Sequence, residues 1–328
     1  MIEEILPHLY RIQVPLPQSP LKTLNSYVIK AKGRFLIIDT GWNREECRRT
    51  MFSALERLNV DLSQTDFFIT HIHADHLGLV ATLATGTSRV YFNEPEAAII
   101  NAARPEKRWQ NFGVIYQSHG FPKNELEEAM AHHPSRLYGL KHGFDFCLLR
   151  DDDILDMEDY SFQCIETPGH SPGHICLYEA SKRILMSGDH LLGTITPNIT
   201  FWPEMENPLK EYLASLEKVH PLDVAVVLPA HRDIFHNHRR RITELKKHHR
   251  ARVNQILAAL DGGDKTAFQI APHVKWDVDY PSWELFPPAQ KWFAIGETIS
   301  HLKYLEDNHR VQRKTRDQQI IFSLVSPK

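Results

Sequence analysis

Cysteine is scarce in this chain. Its four residues, Cys47, Cys147, Cys164 and Cys176, are scattered over 328 positions with no C-x-x-C pair. That spacing argues against a cysteine-based zinc site and points to free thiols in a reduced, cytoplasmic protein. Long apolar runs are missing as well. No stretch approaches 18 apolar residues, so no membrane span is expected. The opening MIEEILPHLYRIQVPLP does not read as a signal peptide. Acids stand where a basic segment belongs, and prolines interrupt the apolar stretch. No internal repeat is visible.

What remains has the balance of a globular protein, 42% hydrophobic and 24% charged, which excludes a disordered or fibrous chain. The length predicts one large domain with a smaller one, or a heavily decorated single domain. Charge is uneven. Residues 236–328 carry 16 Lys and Arg against 10 Asp and Glu, a net of +6, while the preceding residues carry 22 against 31, a net of −9. A basic tail on an acidic body fits a docking surface or a nucleic-acid contact.

Patterning predicts strands at YRIQV, NSYVIK and GRFLIIDTG, the last two as a hairpin. NREECRRTMFSALERLNVD has helical spacing, with Asn43 as its expected N-cap. TDFFIT reads as a short buried strand, LGLVATLATGT as a helix ending at Gly86, and RVYFN as another strand. Residues 95–148 change character and read as a mainly helical insertion. Strands resume at YSFQCIETPG, HICLYEA, RILMSGDHLL and VAVVLPAH, with the helix PLKEYLASLEKVH before the last. From residue 236, Ile242, Leu245, Val253, Ile256 and Leu260 share one helix face. A second amphipathic helix, WFAIGETISHLKYLE, and two strands around a charged turn complete a winged-helix-like tail. The expected division is therefore a body over 1–235 and a C-terminal helical domain over 236–328.

Histidine is abundant, with 20 residues, and THIHADHLG at 70–78 concentrates it. Imidazole and carboxylate are the ligands that zinc and similar ions take. His71 and His73, two apart in an extended segment, point to one side. Asp75 and His76 come where a helix is starting and point elsewhere, toward a second ion. One short loop thus offers ligands to two neighbouring ions. Further candidates follow later strands: His170 and His174 in ETPGHSPGH, Asp189 and His190 in SGDH, and His231 in LPAH.

THIHADH, TPGHSPGH, SGD and PAH, in that order, resemble the metallo-β-lactamase-fold hydrolases, over roughly residues 8 to 235. The resemblance implies an α/β fold, a four-layer αββα sandwich. It implies two divalent ions, zinc being suited to the ligand set and iron or manganese possible. His71, His73 and His170 would hold the first, Asp75, His76 and His231 the second, and Asp189 would bridge them. Asp39 in IIDTG is expected to orient ligands without binding metal. His190 reads either as structural or as a neighbour of the ligands. His174 reads as structural, since the ligand set is complete without it. His119, His132, His133 and His142 read as surface residues of the insertion.

Such a site makes hydroxide available at neutral pH and needs no serine or cysteine nucleophile. Asp75 and Asp189 are the candidates to orient the attacking water and move its proton. The expected reaction is hydrolysis of a small-molecule thioester, lactone or other ester. A nuclease or phosphodiesterase acting on RNA is the alternative, since Arg239, Arg240, Arg241, Lys246 and Lys247 offer a phosphate-binding face. A solvated helix face explains the same residues. The carboxylate that oxygen-reducing relatives place at the second motif position is here His73, which argues against that chemistry. A non-catalytic binding module conflicts with the intact ligand set. Trp109, Phe112, Tyr116, Phe121 and Tyr138 either line a partly apolar pocket or form the insertion's own core. The amphipathic tail offers a possible homodimer surface.

Overall fold

The computed structural model describes residues 1–102, 105–141, 143–278 and 280–325. Seven strands make the first sheet, in chain order: β1 (Ile2–Leu6), β2 (Leu9–Pro15), β3 (Thr23–Ala31), β4 (Arg34–Ile38), β5 (Thr65–Phe68), β6 (Val90–Asn93) and β7 (Cys147–Leu149). The pairs up to β3–β4 are antiparallel and those from β4–β5 onward are parallel. Five strands make the second sheet: β8 (Ile154–Met157), β9 (Tyr160–Glu166), β10 (Ile175–Glu179), β11 (Ile184–Gly188) and β12 (Val226–Pro229).

Strand alternation explains the layers. Side chains on a strand point to opposite faces in turn. Tyr27 and Ile29 of β3 and Leu36 and Ile38 of β4 face the second sheet, where they meet Phe162, Leu177, Met186 and Leu228. Val28, Ile37 and Phe67 point the other way. They pack under α1 (Glu45–Arg57), through Cys47, Met51 and Leu55, and beside the short helices α2 (Ala74–Leu77) and α3 (Val80–Leu83). The outer face of the second sheet, including Cys176 and Leu185, is covered from elsewhere in the chain. Its cover is Leu209, Tyr212 and Leu216 of α8 (Pro208–Val219) and Ile242 and Leu245 of a later helix. Helix, sheet, sheet, helix is the predicted four-layer sandwich.

The insertion folds as α4 (Glu94–Asn101), α5 (Pro105–Ser118), α6 (Lys123–Ala131) and α7 (Pro134–Tyr138). The tail folds as α9 (His238–Leu260), α10 (Ala267–Ile270), α11 (Pro288–Asp307) and a ribbon of β13 (Val311–Arg316) and β14 (Gln319–Leu324). The two regions share one core. Phe112, Tyr116, Phe121, Leu126 and Ala129 pack with Ile256, Leu260, Ile270, Trp292, Ile295 and Leu302. Trp292 stacks on Tyr116 with ring centroids 3.9 Å apart.

Several local expectations change. The cap of α1 is Arg44 and its side chain makes no cap hydrogen bond; Asn43 instead accepts from Arg48 at 3.1 Å. The helix expected to run to Gly86 is two short turns, and between them Gly78 sits against the backbone of Gly41 and Tyr138 with no room for a Cβ. His119 and His133 are buried, not on the surface. His119 lies parallel to Phe322, and His133 meets Trp109 and Trp292. His132 is exposed, and His142 lies outside the described residues. Of the insertion's aromatics, four join the shared core, while Tyr138 stacks on Trp42 at 4.9 Å. The apolar face of α9 is occupied within the chain. Among the described residues, no helix is long and apolar enough to cross a membrane.

Candidate metal centre

Four strand ends converge on one edge of the sandwich. The loop after β5 carries His71 and His73, and the first turn of α2 carries Asp75 and His76. His170 follows β9, Asp189 follows β11 and His231 follows β12. Backbone conformation brings the later ligands in. Gly169 and Gly188, each just before a ligand, have φ of +133° and +49°. A Cβ on Gly169 would fall 2.4 Å from Cα of Tyr212, and one on Gly188 would fall 2.5 Å from Nε2 of His174. Only glycine meets both demands.

All seven expected ligands come together, in two groups. His71 Nε2 lies 2.9 Å from His73 Nδ1, and His170 Nε2 lies 3.2 Å and 3.0 Å from these two atoms. Zinc–nitrogen bonds of about 2.0–2.1 Å place tetrahedral nitrogens about 3.3 Å apart. The triangle has nearly that size. In the second group, His231 Nε2 is 3.3 Å from Asp75 Oδ2, and His76 Nε2 is 3.8 Å from the same oxygen. Asp189 reaches both groups. One oxygen lies 3.5 Å from His170 Nε2 and 3.7 Å from His76 Nε2, and the other lies 3.5 Å from His231 Nε2.

Buried polar atoms normally have partners. Here His76 Nε2, His231 Nε2 and Asp189 Oδ1 are buried with no hydrogen-bond partner among the described residues. Their opposite ring nitrogens are secured. Nδ1 of His170 donates to the Asn198 carbonyl at 2.8 Å and Nδ1 of His231 to the Thr23 carbonyl at 2.8 Å. His76 Nδ1 meets Asp39 Oδ2 at 2.7 Å, and His71 Nδ1 meets the Thr70 hydroxyl at 3.0 Å. Carbonyl and carboxylate partners fix the proton on Nδ1 and leave the Nε2 lone pair facing inward, as metal-binding histidines require. The orphaned atoms and the donor chemistry fit divalent ions.

Electrostatics differ between the groups. Burial, with neighbouring imidazoles, drives His71 and His73 well below the ordinary histidine range and lowers His170. They are neutral and ready to ligate. Burial would lower His76 and His231 too, but the carboxylates outweigh it. Asp39, Asp75 and Asp189 hold His76 well up, and Asp189 with Asp75 raises His231. Burial likewise opposes ionisation of Asp75, yet His76 and His231 bring its pKa down to about 2.

Asp39 lies beside these residues. It accepts from Thr70 N–H at 2.9 Å and contacts His76. It has φ of +58°, a left-handed conformation that a non-glycine residue adopts under tertiary constraint. The His190 ring makes no hydrogen bond among the described residues and meets Tyr212 edge-on at 5.4 Å. His174 is the closer support: its Nε2 accepts from Asp189 N–H at 3.1 Å and its Nδ1 meets Thr167 Oγ1 at 2.8 Å.

Sequence reasoning did not single out Glu96, Asn198 or Trp202. Glu96 is fully buried, accepts from Gly173 N–H at 3.0 Å and is raised to about 7 by burial. Trp202 donates to the His170 carbonyl at 3.0 Å and stacks over His73 with centroids 5.7 Å apart. Arg108 of the insertion lies over Trp202 at 5.7 Å and pairs with Glu204 at 3.1 Å. None stands in a recognisable motif, and no local periodicity marks them.

Known proteins resemble this chain. The probable metallo-hydrolase YqjP of Bacillus subtilis is 26% identical over 308 residues, covering 90% of this chain and 91% of that protein. The atrochrysone carboxyl ACP thioesterase of Aspergillus fumigatus is 24% identical over 260 residues, covering 79% of this chain and 67% of that one. A crystal structure of a metallo-beta-lactamase family protein from Thermus thermophilus superposes with a TM-score of 0.82 at 29% identity, covering 98% of this chain and all of that one. The likeness to that structure therefore extends through the tail as well as the sandwich. The pattern of the metallo-beta-lactamase superfamily itself runs from residue 22 to residue 231, a span that includes all seven candidate ligands, and the chain belongs to that superfamily.

Proposed function

We propose that this metal-dependent hydrolase uses a two-ion site to cleave a small-molecule thioester or related ester. The observation that carries the reading is Asp189, which has an oxygen within 3.5 Å of a nitrogen from each group. His71, His73 and His170 would hold one ion, Asp75, His76 and His231 the other, with Asp189 between them. Such ions supply a water ionised near neutral pH and positive charge beside the acyl oxygen. Asp75 and Asp189 are both held in the ionised form. They can accept hydrogen bonds from the attacking water and take its proton. His73 is the ligand with the most exposure, so the open side lies there. Trp202 gives that side an apolar wall, suited to an acyl chain.

A relative named as a thioesterase supports the choice of thioester over lactone. The nuclease alternative has less support. Arg239 donates to the carbonyls of His220, Pro221 and Leu222, and Arg241 to those of Leu192 and Ile195. Lys246 pairs with Glu217 and Arg240 with Glu244. Four of the five basic residues are thus engaged with the chain itself. We take residues 1–235 as the catalytic body and 236–328 as a supporting domain.

The test is a panel of a thioester, a lactone, a phosphodiester and a short RNA, run on protein of known metal content. Thioester cleavage lost on Asp75→Asn is expected. RNA cleavage lost on the same substitution, without thioester cleavage, would overturn the reading.

A further inference from the structure

The loop at 198–202 carries two contacts to one ligand. Its Asn198 carbonyl accepts from His170 Nδ1 at 2.8 Å, and its Trp202 indole donates to the His170 carbonyl at 3.0 Å. His170 is thus held at both ring and backbone by one segment outside any strand or helix. That segment is fastened in turn to α11. Asn198 Nδ2 donates to Glu297 Oε2 at 2.7 Å and to the Phe293 carbonyl at 3.4 Å. Phe201 N–H donates to the Gly296 carbonyl at 3.0 Å. The contact at Gly296 is close: a Cβ there would fall 2.1 Å from Thr200 Oγ1 and 2.3 Å from the Tyr116 hydroxyl.

Glu297 is itself immobilised. It is buried and paired with Arg252 of α9. Arg252 lies over the Trp276 ring at 4.4 Å and donates to the Lys275 carbonyl at 3.2 Å. His248 and His249 lie near enough to Glu297 to suggest a third cation site. The carboxylate is already committed, one oxygen to Arg252 and the other to Asn198, and a guanidinium beside it disfavours a cation. The cluster is a clamp.

We infer that α11 is a positioning element for the first ion, acting on His170 through the loop at 198–202, with Asn198, Gly296 and Glu297 as its positioning residues. The inference rests on the two-ion reading. Partners of metal-bound histidines orient the ring and set its basicity, and their loss typically costs about 10- to 100-fold in metal affinity. The second group has no such dependence, since His76 and His231 lean on Asp39 and on the Thr23 carbonyl, both within the sandwich.

The test is cobalt(II) titration of the full chain, followed by visible absorption and by elemental analysis. Asn198→Ala cuts the side-chain tie and leaves the Glu297–Arg252 pair in place. Gly296→Ala pushes the loop off the helix without touching any charge. Each is expected to weaken one of two cobalt ions by about 10- to 100-fold and to leave the other within about threefold. Adding Thr200→Ala and Tyr116→Phe to Gly296→Ala removes the clash and should restore binding. Wild-type protein that takes two ions, with both variants equal to it or weakened equally at both ions, would overturn the inference alone. Wild-type protein that takes no cobalt would overturn it together with the two-ion reading.

Discussion

The two halves of the candidate metal centre are built on different supports. His71, His73 and His170 form a neutral group, and its later member hangs on a loop docked to α11. Asp75, His76 and His231 form a charged group, fixed from within the sandwich by Asp39 and the Thr23 carbonyl. Carboxylates beside imidazoles attract one another, as the raised pKa values of His76 and His231 reflect. Three inward lone pairs do not; they need a cation to hold them together.

The largest expected effect comes from removing what the halves share. Asp189→Asn keeps the size of the side chain and its backbone contact to His174, but removes the negative charge between the two groups. Activity should fall on the order of 10³-fold, equivalent to about 4 kcal/mol in the barrier, with both ions weakened in elemental analysis. Loss of one ion alone would show that Asp189 belongs to a single half.

Asp39→Asn addresses the second half only. Asparagine tolerates the left-handed conformation at this position, so the fold should persist. The amide cannot hold the His76 proton as a carboxylate does. Affinity for the second ion should drop by about 10- to 100-fold, with the first unaffected in cobalt titration. Equal loss at both ions would erase the contrast between the halves.

The halves also differ in how far they could be read in advance. THIHADH is legible because four candidate ligands are local, and TPGH, SGD and PAH because each follows a strand and their order resembles the superfamily's motifs. The four-layer sandwich was legible through the family resemblance, and the strand alternation agrees with it, as at Leu36, Ile37 and Ile38, which split between two cores. The support of His170 was not legible. It joins Asn198 to Glu297 across 99 positions, and nothing periodic marks either residue. The same holds for the shared core: Tyr116 and Trp292 meet through tertiary packing that no local pattern encodes. His119 and His133 were misread for one reason, that histidine in a polar helical stretch looks solvated until its distant partner is known.

Those buried histidines make the helical scaffold sensitive to acid. His119 and His133 are lowered to about 4, chiefly by burial. Their folded values lie below the unfolded one near 6.5, so the unfolded chain takes up the proton first. Stability is then fully present above about 6.5 and is lost as pH falls toward 4, each group removing about 1.4 kcal/mol per pH unit. His119→Leu should shift acid unfolding of the helices to lower pH, read by hydrogen exchange across 105–131 and 288–307. The sandwich strands should not respond. An unchanged acid midpoint would mean that this ring is not neutral in the fold.

The smallest effect is expected at the exposed face of α9. Arg240 pairs with Glu244, four residues on, and such surface pairs contribute about 0.3–0.5 kcal/mol. Arg240→Glu with Lys247→Glu should therefore leave thioester hydrolysis and both cobalt affinities unchanged, and thermal unfolding nearly so. The same variant separates the two readings of the basic tail. If the face binds a phosphate backbone, reversing two charges weakens RNA binding and flattens its salt dependence. If it is a solvated surface over the scaffold of the first ion, wild type and variant bind RNA equally weakly at moderate salt, and the contrast between the halves of the site stands without any nucleic-acid role.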